Sequence, residues 1–149
     1  MSVVQRFNRT MIENCLRANQ LRFLRDNDGD FRVEFGYNEK YGCEISFSLS
    51  VAGSQNDVYS IIAISDKRIP RHDWAKAVTI CNEWNAQKRW PKAYLHVRDV
   101  ATETYGAILL EQDIDLEPGV HQELLDHFTL TAFATSMSFW EWAHTTQGL

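Results

Sequence analysis

Four acidic residues alternate at Glu111, Asp113, Asp115 and Glu117. On a continuing strand, alternate residues share one face, so these carboxylates would stand together. Such a group binds divalent cations, or divides acid and base roles when its members differ in proton affinity. The plain alternative is a solvated strand end that carries negative charge to the N-terminus of the next helix. Each acid is favoured there by roughly 0.3–1 kcal/mol.

A second group, Lys88-Arg89-Trp90-Pro91-Lys92, is the one basic-aromatic cluster in the chain. It has the means to hold a phosphate or an acidic segment of a partner, with Trp90 as a stacking platform. The same residues also describe a helix C-terminus, where cations are favoured and a tryptophan packs beneath the turn.

Other chemistry lacks its residues. Asp26-Asn27-Asp28-Gly29-Asp30 has the composition of a calcium loop. An EF-hand starting at Asp26 needs glycine at Phe31 and glutamate at Tyr37, and one starting at Asp28 needs glycine at Val33. The stretch reads as a hairpin turn. The histidines are His72, His96, His121, His127 and His144, and none forms a metal-binding pair. His121, near the start of the last helix, is expected to hydrogen-bond as a neutral ring. No GxSxG motif, no Cys–His neighbours and no glycine-rich phosphate loop occur. The sequence thus predicts no catalytic set, no cofactor and no metal.

These groups must be positioned by a chain of 149 residues, which fits one domain over residues 1–149 with a core that needs no disulfides. The net charge of −5 argues against a nucleic-acid partner. No window approaches the roughly 18 apolar residues of a membrane span. The first nine residues are broken by Gln5, Arg6 and Asn8 and do not read as a secretory signal. Cys15, Cys43 and Cys81 are odd in number and scattered, as expected of reduced, buried thiols in a cytoplasmic protein.

Periodicity then supplies the elements. Residues 3–20 read as a helix, with Val4, Phe7, Met11, Cys15 and Ala18 at helical spacing. Strand alternation follows at residues 31–36 and at 43–51, and residues 58–64 read as a third strand, apolar on both faces at its end. Short turns between these runs imply an antiparallel meander. Ile69-Pro70 is expected to open a second helix, with Trp74, Ala77, Val78, Cys81 and Trp84 inward and Trp90-Pro91 ending it. Residues 93–97 and 104–112 form two more strands, and Ile108-Leu109-Leu110 predicts cover on both faces. Pro118-Gly119 begins a long last helix to about Thr145. The order α-βββ-α-ββ-α favours an α+β fold with a mostly antiparallel sheet.

The run CNEWN at 81–85, RWPKAYL at 89–95, and LEPGVHQELL at 116–125 followed by Phe139-Trp140 resemble the YbjN family, over most of the chain from about Met11 to Trp142. The likeness is to the cyanobacterial branch more than to the proteobacterial one. It implies the fold of type III secretion chaperones: a twisted antiparallel sheet with packed helices, usually a homodimer. It also implies a role in sensory transduction or stress regulation, with no established catalytic residues.

The last helix carries two apolar faces. Leu124, Leu125, Phe128, Ala132, Thr135, Phe139 and Trp142 follow one; Leu130, Phe133, Met137 and Trp140 follow the other. So broad an arc is either buried between layers of one chain or meets another chain. Two functions follow. One is a non-enzymatic adaptor, chaperone-like or regulatory module. It would bind itself and an unidentified polypeptide, but neither nucleic acid nor membrane, with Arg89, Trp90, Phe139, Trp140 and Trp142 at the contact. The other is a small-ligand protein or enzyme using the acidic segment 111–117. Convergence of those carboxylates with a histidine in a concave site would favour the second.

Overall fold

The computed structural model describes residues 3–149. The elements are α1 (Arg9–Ala18), β1 (Leu24–Arg25), β2 (Phe31–Asn38), β3 (Cys43–Ala52), β4 (Val58–Ser65), β5 (Ile69–Pro70), α2 (Trp74–Gln87), β6 (Lys92–His96), β7 (Tyr105–Asp115) and α3 (Gln122–Thr145). This is the expected α+β class and order, with β1 and β5 as short additions. The strands run β1-β2-β3-β4-β7-β5, and β6 also pairs with β7. Every pairing is antiparallel.

The period-2 pattern of β3 sets the layers. Cys43, Ile45, Phe47 and Leu49 are buried, whereas Ser46 and Ser50 are half-buried and Ser48 is exposed. On the buried face Phe47 meets Phe133 of α3 at 4.5 Å between ring centroids, and Tyr59 of β4 meets Phe128 at 5.3 Å. The Tyr59 hydroxyl lies 2.7 Å from Thr129 Oγ1, which itself donates to the Leu125 carbonyl. Tyr59 is therefore the donor, and a buried polar pair is satisfied inside the core. Burial pushes the Tyr59 phenol up.

The opposite face is open. Register places Ile64 between Ser46 and Leu109, and Ile64 is 39 % exposed. The expectation of cover on both faces of β7 is thus corrected: Ile108 and Leu110 are buried, but Leu109 is only half-buried, because the helices pack on the other side.

Three helix boundaries also differ from expectation. Residues 3–8 are not helical: Gln5 exchanges both backbone hydrogen bonds with Val120, at 3.0 and 2.9 Å. Asn8 then accepts from the Met11 N–H and starts α1. Pro70 lies in β5, opposite Tyr105, so α2 begins only at Trp74, after a short 3-10 turn. The inward stripe of α2 is Ala77, Ile80, Cys81 and Trp84, and Val78 faces solvent. Finally, α3 starts at Gln122, where His121 Nδ1 accepts from the Leu124 N–H at 3.1 Å. His121 thus caps the helix through an unprotonated ring nitrogen, as the neutral-ring reading required.

Candidate binding groove

The chain between α2 and β6 is fixed by side chains of α2. Trp84 Nε1–H donates to the Pro91 carbonyl at 3.0 Å. Asn85 donates to the Ala93 carbonyl and accepts from the Ala93 N–H, each at 2.9 Å. Ala93 therefore turns its backbone groups away from β7. Antiparallel ladders alternate, so Lys92 and Tyr94 are the residues whose backbone faces β7, opposite Glu111 and Leu109. The ladder begins at Lys92, opposite Glu111. Beyond Glu111 the outer edge of β7, residues 112–115, has no strand beside it among the described residues. The same alternation turns the backbone groups of Asp113 and Asp115 to that open edge.

One wall of the resulting groove is α3. Leu124, His127, Phe128 and Thr131 line it, with Trp90 and Arg89 at one end, and the space is about 550 Å³. Leu124 is 43 % exposed and Trp90 45 %. On the other side of Trp90 a second cleft of about 570 Å³ is lined by Trp84, Gln87, Lys88, Arg89, Thr135, Ser138 and Trp142. Trp90 and Arg89 border both spaces.

The acidic members of the groove are coupled. Tyr94 Oη donates to Glu111 Oε1 at 3.0 Å, and Lys92 Nζ is 3.3 Å from Glu111 Oε2. A hydrogen bond with Asp113, and then those from Tyr94 and Lys92, hold the Glu111 carboxyl below its ordinary range. Desolvation, and then the hydrogen bond to Glu111, push Asp113 up. The two carboxyls therefore titrate as a pair, with the proton affinity of Glu111 lowered and that of Asp113 raised. Burial and the bond to Glu111 push the Tyr94 phenol up to about 12.

The residues singled out from sequence separate into three sets. Arg89 and Trp90 are exposed on the ridge between the clefts, and Trp142 is half-buried on the second cleft. Phe139 and Trp140 are each 0 % exposed inside the chain, which corrects their assignment to a partner contact. The aromatic half of α3 is covered by its own sheet and by α2, where Trp84 meets Phe139 edge-on at 5.3 Å. The acidic row also divides: Glu111 and Asp113 line the groove, whereas Asp115 and Glu117 gather with Asp57, their oxygens within 4.8 Å of one another. The strand ends at Asp115, whose carboxylate accepts from the Glu117 N–H. Sequence reading missed Asp57, which is brought in by β4 pairing. It also missed the groove wall as a unit, although Leu124, His127, Phe128 and Thr131 carry the spacing of one helix face.

Cys15, Cys43 and Cys81 are free and buried, as expected. Burial pushes their thiols up, Cys15 to about 12 and the other two to about 11. Such thiols are poor nucleophiles. Among the described residues no helix is long and apolar enough to cross a membrane.

The sequence profile of the YbjN family, described as "Putative bacterial sensory transduction regulator", matches residues 8–144. The chain belongs to the YbjN family. A solved structure, "Crystal structure of YbjN, a putative transcription regulator from E. coli", superposes with a TM-score of 0.76 over 97 % of this chain and 96 % of that one, at 12 % identity. At that identity the shared property is the fold. No curated protein matches the sequence.

Proposed function

We propose that this YbjN-family chain is a non-enzymatic regulatory or adaptor module that holds an extended polypeptide in the groove between β7 and α3. The observation that carries the reading is the unpaired edge of β7 at residues 112–115, set against an apolar helix wall. A free edge offers main-chain hydrogen bonds to an incoming strand, and the wall offers a place for its side chains. The partner site then consists of Arg89 and Trp90 on the ridge, with Trp142 beyond it. The working form is a cytoplasmic homodimer with the architecture of secretion chaperones, a view that rests on family resemblance. Sedimentation equilibrium at micromolar concentration is expected to give twice the chain mass. Selection of a random peptide display library on the purified protein tests the binding reading. Enrichment is expected on the unaltered chain and loss of it on Leu124→Ser; no enrichment on the unaltered chain, or equal enrichment on the variant, overturns the proposal.

A second reading has its own support. Glu111 and Asp113 differ in proton affinity and share a groove with His127, the arrangement of an acid–base or small-ligand site. A substrate screen over esters, phosphoesters and peptides decides it. Turnover lost on Asp113→Asn or His127→Ala would replace the first reading.

A further inference from the structure

We infer that the segment held at the β7 edge is a short strand that alternates apolar and basic side chains. This rests on the groove reading above and specifies its occupant.

The length comes from the open edge. Residues 112–115 span about 13 Å at the rise of a strand, so the ladder has room for roughly four guest residues. The chain entering β6 leaves this edge at Pro91, so a guest would lie end to end with β6.

The alternation comes from the two faces of β7. Gln112 and Ile114 pair with Ile61 and Tyr59, which are buried in the core. They therefore share the face on which α3 lies. A guest side chain on that face enters the space between Trp90, Leu124 and Phe128, which calls for an apolar group. Gln112 adds a polar signal there, since its Oε1 is buried and has no hydrogen-bond donor among the described residues. An acceptor left in this state is costly, and a donor brought by the guest would relieve it.

On the opposite face stand Asp113 and Asp115, paired with Ser60 and Val58. Neither carboxylate has a salt-bridge partner within 4.0 Å among the described residues. A neighbouring strand places its own side chains beside these two, and opposite charges are favoured in such cross-strand pairs while like charges are not. Lysine or arginine fits, and an acidic guest is excluded. Arg89 and Lys92 stand at the Trp90 end, which confines the basic positions to those beside Asp113 and Asp115.

Fluorescence anisotropy with labelled synthetic peptides tests this. One peptide alternates valine and lysine. A second has the same composition in blocks, a third carries glutamate in place of lysine, and a fourth is the first with alternate amides N-methylated to block the ladder. The alternating valine–lysine peptide is expected to bind at least tenfold more tightly than the other three. Asp113→Lys, or Asp115→Lys if the first variant loses its circular dichroism spectrum, should reverse the preference between lysine and glutamate peptides. Equal binding of alternating and blocked peptides, or no reversal in the variant, overturns the inference. If library selection enriches peptides without this pattern, the groove reading stands and the inference fails. If neither library nor patterned peptides bind, both fall.

Discussion

Trp84 on α2 and Pro91 before β6 are joined by an indole N–H donating to a carbonyl at 3.0 Å, in a buried seam. Together with the double bond between Asn85 and Ala93, it turns the chain away from β7 one residue before β6 begins. The open edge of β7 is thus a consequence of how α2 is stapled to β6. The residues that draw attention in the sequence act here as the staple, and the groove lies beside them.

Removing the staple should cost stability in proportion to burial. Trp84 is 4 % exposed, and Trp84→Phe leaves the Pro91 carbonyl without its donor, for about 1–3 kcal/mol. Asn85 is exposed, so water can partly replace its side chain. Asn85→Ala is expected to cost about 1 kcal/mol. Urea denaturation of both variants checks the order; a larger loss in Asn85→Ala would contradict it.

The two tryptophans Trp90 and Trp140 predict opposite outcomes. Trp140 is fully buried, and Trp140→Ala should cost about 3–5 kcal/mol through cavity formation. Trp90 is 45 % exposed, so Trp90→Ala should change stability by less than about 1 kcal/mol while weakening peptide capture. Thermal unfolding alongside the peptide assay separates them. A large loss of stability in Trp90→Ala would return this residue to a purely structural role.

This contrast marks where sequence reading ends. The strands β2 and β3 were legible because Phe31, Val33, Ile45, Phe47 and Leu49 alternate with polar residues, and one-sided burial leaves that trace. Helix starts were less so. Pro70 suits a first helical turn and a strand end alike, and only the pairing with Tyr105 decides between them. Trp90 and Trp140 are the same residue type in aromatic runs, and their burial depends on what α2 and the sheet bring from elsewhere. The groove was illegible for the same reason: it exists because β6 is shorter than β7, a difference in length that no local pattern encodes.

The Glu111–Asp113 pair sets a pH signature. Asp113 has a raised proton affinity in the folded chain, so its contribution favours folding at low pH and is lost as pH rises through its folded value. Glu111 is lowered, so its contribution is present at neutral pH and is lost as pH falls through its folded value. Asp113→Asn removes the first term and the like-charge neighbour. The variant should be more stable than the parent at pH 7 by about 0.5 kcal/mol, with the Asp113 share of the difference vanishing in acid. Carboxyl NMR titration should show two steps in the parent, one on each side of the ordinary range, and only the Glu111 step in the variant. Two unshifted, independent steps in the parent would show that the pair is not coupled.

The far end of α3 gives the last prediction. Gly42, in the turn between β2 and β3, has φ +67°, and a Cβ there would come within 2.5 Å of the His144 ring. The ring is not free to swing away, since its Nδ1 lies 3.3 Å from the Leu149 carbonyl and 3.5 Å from Lys67 Nζ. Gly42→Ala therefore meets two penalties. The left-handed backbone costs about 1 kcal/mol for any residue with a Cβ. The clash adds to it by displacing the last turn of α3. The penalties separate in the His144→Ala background, where the clash is gone and the backbone cost remains. The double-mutant cycle should give a coupling of roughly 0.5–3 kcal/mol. Additive effects would show that the ring yields without cost. The result also bears on the groove, because α3 is its wall. That helix is tied at one end by Gln122 donating to the Met11 carbonyl at 2.8 Å and at the other by the fit of His144 over Gly42. Loosening the Gly42 end in Gly42→Ala should weaken peptide capture at Leu124 and Phe128 less than Leu124→Ser does, since the Gln122 end stays fixed.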